Sequence, residues 1–135
     1  MRAEANVAGS KNVIITKKAR EKLVKARAGA IVLPAVVGMV FGDGGIDPDG
    51  KVIPPTESQE ALIHEIFRKE IDGYSFPEDT TCRYICTLSD TELAGESLSE
   101  VGLYDTEGDI VCIKTFLAKG KDEDLEMTFT LDDIF

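Results

Sequence analysis

The sequence predicts an α+β domain, with two helices in its N-terminal half packed on a mostly antiparallel β-sheet. Three observations carry that expectation. Ile15, Ala19, Leu23 and Ala26 recur at helical spacing with lysines and arginines between them. A T-x-x-Q motif, Thr56 to Gln59, precedes a stripe of Leu62, Ile63, Ile66 and Phe67, the pattern of a capped amphipathic helix. From Phe67 onward the apolar period falls to two, most cleanly at Leu125, Met127, Phe129 and Leu131, as on the two faces of a strand.

The elements follow in order. Asn6 to Asn12 read as a flexible approach, so residues 1–11 are expected to be a flexible segment and 12–135 one domain. Thr16 can cap the first helix through its hydroxyl, and Gly29 can end it. Ile31 to Phe41 is a continuous apolar run expected to be a buried strand, near an edge or bulge because of Pro34. Gly42 to Pro55, GDGGIDPDGKVIPP, is a loop of turn formers. In the second helix, Glu65 and Lys69 are placed to pair on the wet side. Strands are then expected at Phe67–Tyr74 and Thr81–Leu88 around a turn at Pro77, and at Leu98–Tyr104 and Ile110–Leu117 around the turn Asp105-Thr106-Glu107-Gly108. A further turn at Lys119–Asp122 leads to the last strand.

Composition narrows the function classes. The 135 residues carry 25 acids and 15 bases, for a net charge of −10. A protein that works by neutralising phosphates should be basic, and so should one held on an anionic membrane surface; neither nucleic acid nor membrane is an expected partner. The charge is uneven, +6 over residues 1–27 and −16 over the rest. A basic head on an acidic body can draw a second copy or fold back on its own chain; Lys17, Lys18, Lys22 and Lys25 are otherwise read as a solvated helix face. Three cysteines, Cys82, Cys86 and Cys112, are too few and odd in number for a disulfide scaffold. Residues 1–10 lack the apolar segment of a signal peptide, so the expected compartment of synthesis is the cytoplasm.

A search for chemistry finds little. Asp43, Asp47 and Asp49 could offer oxygens to a divalent cation. Aligned on Gly50, however, the loop lacks the first acid and the closing glutamate of a calcium loop. GDGG lacks the lysine and hydroxyl residue of a phosphate loop. Cys82 and Cys86 would stand about 13 Å apart on a strand, too far to share a zinc. His64, the single histidine, is expected on the polar side of the second helix beside Glu60 and Arg68. No catalytic motif is present, so no enzyme activity and no cofactor are expected.

Taken together, ITKKAREKL, FGDGG, SQEALIHEIFRKEI, SEVGLYDTEGDIVCIKTF and DLEMTFTLDDIF resemble the N-terminal domain of phage tail-collar fibre proteins, from about Asn12 to Phe135. SEVGLYDTEGDIV, Ser99 to Val111, is the most specific element. The resemblance implies a structural protein of phage or prophage tails, assembled in the host cytoplasm. It implies a homo-oligomer, a trimer as the family's fibres are, that anchors a fibre to baseplate or fibre proteins. The chain stops at Phe135 without a fibre shaft or receptor-binding tip, so attachment rather than host recognition is the expected role. Two weaker readings are a small acidic decoy that binds a host protein, and a metal-dependent enzyme using the Asp43–Asp49 loop.

Five residues stand out as interaction candidates: Asp43 and Gly44 in the GDG loop, and Glu100, Gly102 and Asp105 in the family-like strand. Turn geometry explains Asp105 and close packing explains Gly102. No local turn role explains Glu100, for which a buried salt bridge with Arg68 or Arg83, or an intersubunit contact, is expected.

Overall fold

A computed structural model describes residues 2–6 and 12–135. The described residues form β1 (Arg2–Asn6), β2 (Val13–Ile15), α1 (Lys17–Arg27), β3 (Val36–Gly42), β4 (Glu65–Glu70), β5 (Gly73–Glu78), β6 (Thr81–Leu88), β7 (Ser97–Asp105), β8 (Ile110–Gly120) and β9 (Glu126–Ile134). One sheet has the order β1-β9-β6-β5 and the other β2-β8-β7-β3-β4. Only β1 and β9 pair parallel; every other strand pair is antiparallel.

This mostly-β architecture corrects the α+β expectation, because the second helix is absent. The T-x-x-Q motif does close a turn: the Gln59 side chain accepts from the Thr56 N–H at 2.8 Å, and the Gln59 N–H donates to the Thr56 carbonyl at 3.1 Å. A helix then needs each N–H to return to the carbonyl four residues back. The N–H groups of Ile63 and His64 instead donate to the Glu100 carboxylate. From there β4 pairs with β3, Glu65 opposite Gly42 and Glu70 opposite Gly38. Tertiary partners thus overrode a helical pattern. The expected wet-side pair also changes: Glu65 binds Arg68, and Lys69 binds Glu92.

Other boundaries move for similar reasons. Ile31, Val32 and Leu33 are not a buried strand; they are 37%, 92% and 45% exposed. The β3–β7 ladder ends at Val36 opposite Asp105, where the chain turns, so residues 31–33 have no strand to pair with. Pro34 could not donate to a ladder in any case. The expected strand Phe67–Tyr74 is two: the chain leaves one sheet after Glu70 and enters the other at Gly73. Pro77 lies inside β5, a sheet edge where its missing N–H costs nothing. The N-terminal segment expected to be flexible supplies β1; its residues 7–11, with Met1, lie outside the described residues.

The first helix forms as read. The Thr16 hydroxyl accepts the Ala19 N–H at 3.2 Å and donates to the Ile110 carbonyl at 2.8 Å. The cap therefore also ties α1 to the second sheet. Gly29, at φ +80°, follows the helix end. Among the described residues no helix is long and apolar enough to cross a membrane.

Both sheets line one core. Met39 and Phe41 from β3 and Leu103 from β7 meet Leu88 from β6 and Met127, Phe129 and Leu131 from β9. Phe129 packs edge-on against Phe41 at 5.2 Å between centroids and near Phe116 at 6.2 Å. Its ring joins the two layers and is fully buried. Phe129→Ala should therefore destabilise the fold by about 3–5 kcal/mol, read as a lower denaturant midpoint at unchanged slope.

Candidate functional site

The GDG loop leaves β3 where β7 begins its ladder, Gly42 opposite Glu100. Glu100 is fully buried. Its carboxylate accepts three backbone N–H groups, from Gly44, Ile63 and His64, each at 2.8 Å. Among the described residues no lysine or arginine forms an ion pair with it. Arg68 pairs with Glu65, and Arg83 with Asp132, so the expected salt bridge to Glu100 does not form. Three converging donors can satisfy a buried carboxylate as a cation would.

The glycines of the loop are there for space. A Cβ on Gly44 would lie 2.8 Å from the His64 nitrogen, and one on Gly45 would run into the Ser99 carbonyl. The Gly45 N–H donates to the Ser99 hydroxyl at 2.9 Å. Farther along, the Ile53 N–H donates to the Gly45 carbonyl, and the Ile53 carbonyl accepts from Thr115. Asp43 is exposed at the rim with the His64 ring, Nδ1 to Oδ1 2.5 Å; the bond to Asp43 raises the histidine above its ordinary pKa of 6.5.

The three loop aspartates are not drawn together. Asp47 accepts the N–H groups of Asp49 and Lys51, both at 2.9 Å, and so serves its own turn. Among the described residues the acids that do cluster are Asp105, Glu107 and Asp109, with oxygens within 4.8 Å of one another. Lys22 of α1 occupies that cluster, its ammonium 2.6, 2.9 and 2.7 Å from the three carboxylates. Burial opposes its charge, but the bonds to Asp105, Asp109 and Glu107 prevail and hold it above the ordinary lysine range. The same ammonium draws Asp109 below the usual carboxylate range. Lys22 therefore does not belong to a solvated face. The basic helix folds back on its own chain here and at Arg20, 3.0 Å from Glu57.

The turn after β7 and the packing at Gly102 have the local geometry read for them. The other Asp105 oxygen accepts the Glu107 and Asp109 N–H groups at 3.0 and 3.1 Å, and Gly108 takes φ +83°. A Cβ on Gly102 would meet the Cys112 carbonyl at 2.7 Å. Glu100, Gly44 and Asp43 thus come together at one end of the β3–β7 pair, with Asp105 at the other and Gly102 between.

Sequence reading missed Lys22 and Asp133. Lys22 falls three residues after buried Ala19, a spacing that should have placed it inward. Asp133 continues the inward face of Met127, Phe129 and Leu131, two residues beyond the last. Its neighbour Asp132 faces the other way and is held by Arg83 at 2.8 and 3.0 Å. Among the described residues Asp133 has no such cation, and burial raises its carboxyl to about 6.

The described residues thus form a two-sheet β-sandwich whose GDG loop is tied to a buried glutamate. Comparison with known proteins places it more narrowly. Residues 9–129 match the family described as phage tail-collar fibre protein, N-terminal, and the chain belongs to that family. A relative, the probable tail fiber protein of Escherichia phage P2, is 31% identical over 101 residues. That alignment covers 74% of this chain but 14% of the relative's length. No solved structure matches. As the resemblance implied, the chain is a structural tail-fibre protein of the virion tail.

Glu100→Gln supplies one acceptor oxygen and an NH2 that faces donors, so it should lower stability by about 1–3 kcal/mol in chemical denaturation. Asp133 has the opposite sign. Its folded-state pKa of about 6 exceeds the ordinary 3.8, so its neutral form favours the fold. That contribution is complete below pH 3.8 and is lost as pH rises through about 6. Asp133→Asn should raise stability at pH 7 by about 1–3 kcal/mol, and should flatten the melting temperature between pH 4 and pH 6.

Proposed function

We propose that this chain is a fibre-base module that attaches a tail fibre to the baseplate, working as a homotrimer and forming one domain over residues 12–135. The observation that carries the reading is the family match over residues 9–129, to a family described as the N-terminal part of a fibre protein. The small share of the P2 relative that aligns fits a base module of a much longer fibre.

The architecture is compatible with a load-bearing joint. The GDG loop is fixed by backbone bonds to Glu100 and Ser99, so its rim presents Asp43 and His64 in a set position. A rigid loop forms an interface without an ordering cost. In this reading Asp43 and Gly44 face the partner, and Glu100, Gly102 and Asp105 hold the surface that meets it. The chemistry of the site is positional, and no step of it requires a cofactor.

Immunogold labelling of purified tails should place this chain at the baseplate end of the fibres; label at the free fibre tips contradicts the assignment. Light scattering after size-exclusion chromatography should give three chain masses at both low and high salt, whereas a monomer at both argues against a self-assembling base.

A further inference from the structure

The sandwich is open at the end opposite the GDG loop. There the inner faces of β5, β6 and β9 part from α1 and residues 33–36, leaving a cleft of about 670 Å3. Tyr74, Phe76 and Phe135 in its wall are 63%, 69% and 64% exposed. Tyr74 sits 5.6 Å from Phe76 and 6.3 Å from Tyr84, ring centre to ring centre. Contiguous exposed apolar patches on a protein surface mark interaction sites or ligand grooves.

Charge decides what the surface takes. Asp133 lies directly across from Cys82 on the same inner face as Tyr84. It is a carboxylate where the strand's alternation calls for an apolar side chain. Among the described residues the one cation in the cleft wall, Lys22, is already bound to three carboxylates. Arg83 is turned away to Asp132. Of the three aspartates in the wall, Asp105 is the one bound to Lys22, which leaves Asp79 and Asp133. The cleft is therefore apolar and aromatic with an uncompensated negative charge, the complement of an alkylammonium or guanidinium beside apolar groups. β5 is a sheet edge, so its free backbone groups border the same cleft and can pair with an extended chain.

We propose that this cleft is a docking site for an extended segment of another tail protein, which inserts a lysine or arginine beside apolar side chains so that Asp133 receives the cation against Tyr74 and Tyr84. The proposal rests on the attachment reading for the source of the segment; the chemistry of the cleft is independent of it. An inward carboxylate that weakens the free fold is retained where a partner relieves it, a common trade between stability and function.

The test uses the full chain, labelled for NMR, with an acetylated, amidated Leu-Lys-Leu-Phe peptide and its Leu-Gln-Leu-Phe counterpart. The lysine peptide should shift the amides of Cys82, Tyr84 and Asp133 and bind about tenfold more tightly than the glutamine peptide. Asp133→Asn, which should fold at least as stably, should erase that difference, and Tyr74→Ala should weaken both peptides. Equal binding of the two peptides, an unchanged preference in Asp133→Asn, or shifts confined to the Asp43–His64 end would overturn the proposal. Self-association of the wild type that disappears in Asp133→Asn would also overturn it, because the occupant would then be a second copy. Tail incorporation separates this idea from the attachment reading. If wild type is incorporated and Asp133→Asn is not, the cleft is the joint. If both enter tails equally, the cleft proposal fails and attachment stands. If neither does, attachment fails, and the peptide result decides the cleft alone.

Discussion

A fully buried carboxylate with no lysine or arginine ion-paired to it among the described residues can survive only if other donors surround it, and the GDG end of this protein is organised to supply backbone N–H groups. Gly44 comes from one side of the loop and Ile63 and His64 from the other, so Glu100 joins two chain segments that are far apart in sequence. The requirement propagates outward. Small residues are needed wherever backbone must approach backbone, which accounts for Gly44 and Gly45. The segment after Thr56 cannot continue as a helix while its N–H groups are engaged by a strand. One buried charge thus sets the course of the chain from residue 42 to residue 64.

A second charge is handled differently. The turn after β7 gathers three acids, and Lys22 answers them from α1. This ion cluster clamps the helix to the sheet at the end where the β3–β7 ladder stops. In a chain with a net charge of −10, it also relieves local repulsion that would otherwise open the hairpin. Asp132 and Asp133 make the contrast plain. They are neighbours in sequence but lie on opposite faces, one paired with Arg83 and the other facing the cleft with no cation among the described residues.

The late strands were legible because alternation at Leu125–Leu131 and the Asp105–Gly108 turn are local signals, as were the Thr16 cap and Gly29 stop. The second helix was not, because residues 56–67 satisfy a helical pattern locally and are redirected by a glutamate about forty positions away. Single-sequence patterns register apolar spacing, not competition for N–H groups. Ile31–Leu33 misled for a related reason: apolar character predicts burial, but nothing in the run says where the partner strand ends. At the candidate site, no turn chemistry explains Glu100, and the expected arginine partner was wrong because its partners are backbone donors, which carry no mark in the sequence. Lys22 was hidden by a basic helix in which one lysine of several points inward.

The GDG loop and the open cleft lie at opposite ends of the same antiparallel strands, Gly42 opposite Glu100 at one end and Val36 opposite Asp105 at the other. Cross-strand bonds in such a pair run perpendicular to the strands. A pull exerted between the two ends would act along the strand axis and strain the rungs of that ladder together, in shear. Tugging the strands apart sideways would open them singly, like a zip. If the two ends are where this unit is held in the tail, drag on the particle would load it in the direction in which it is hardest to tear.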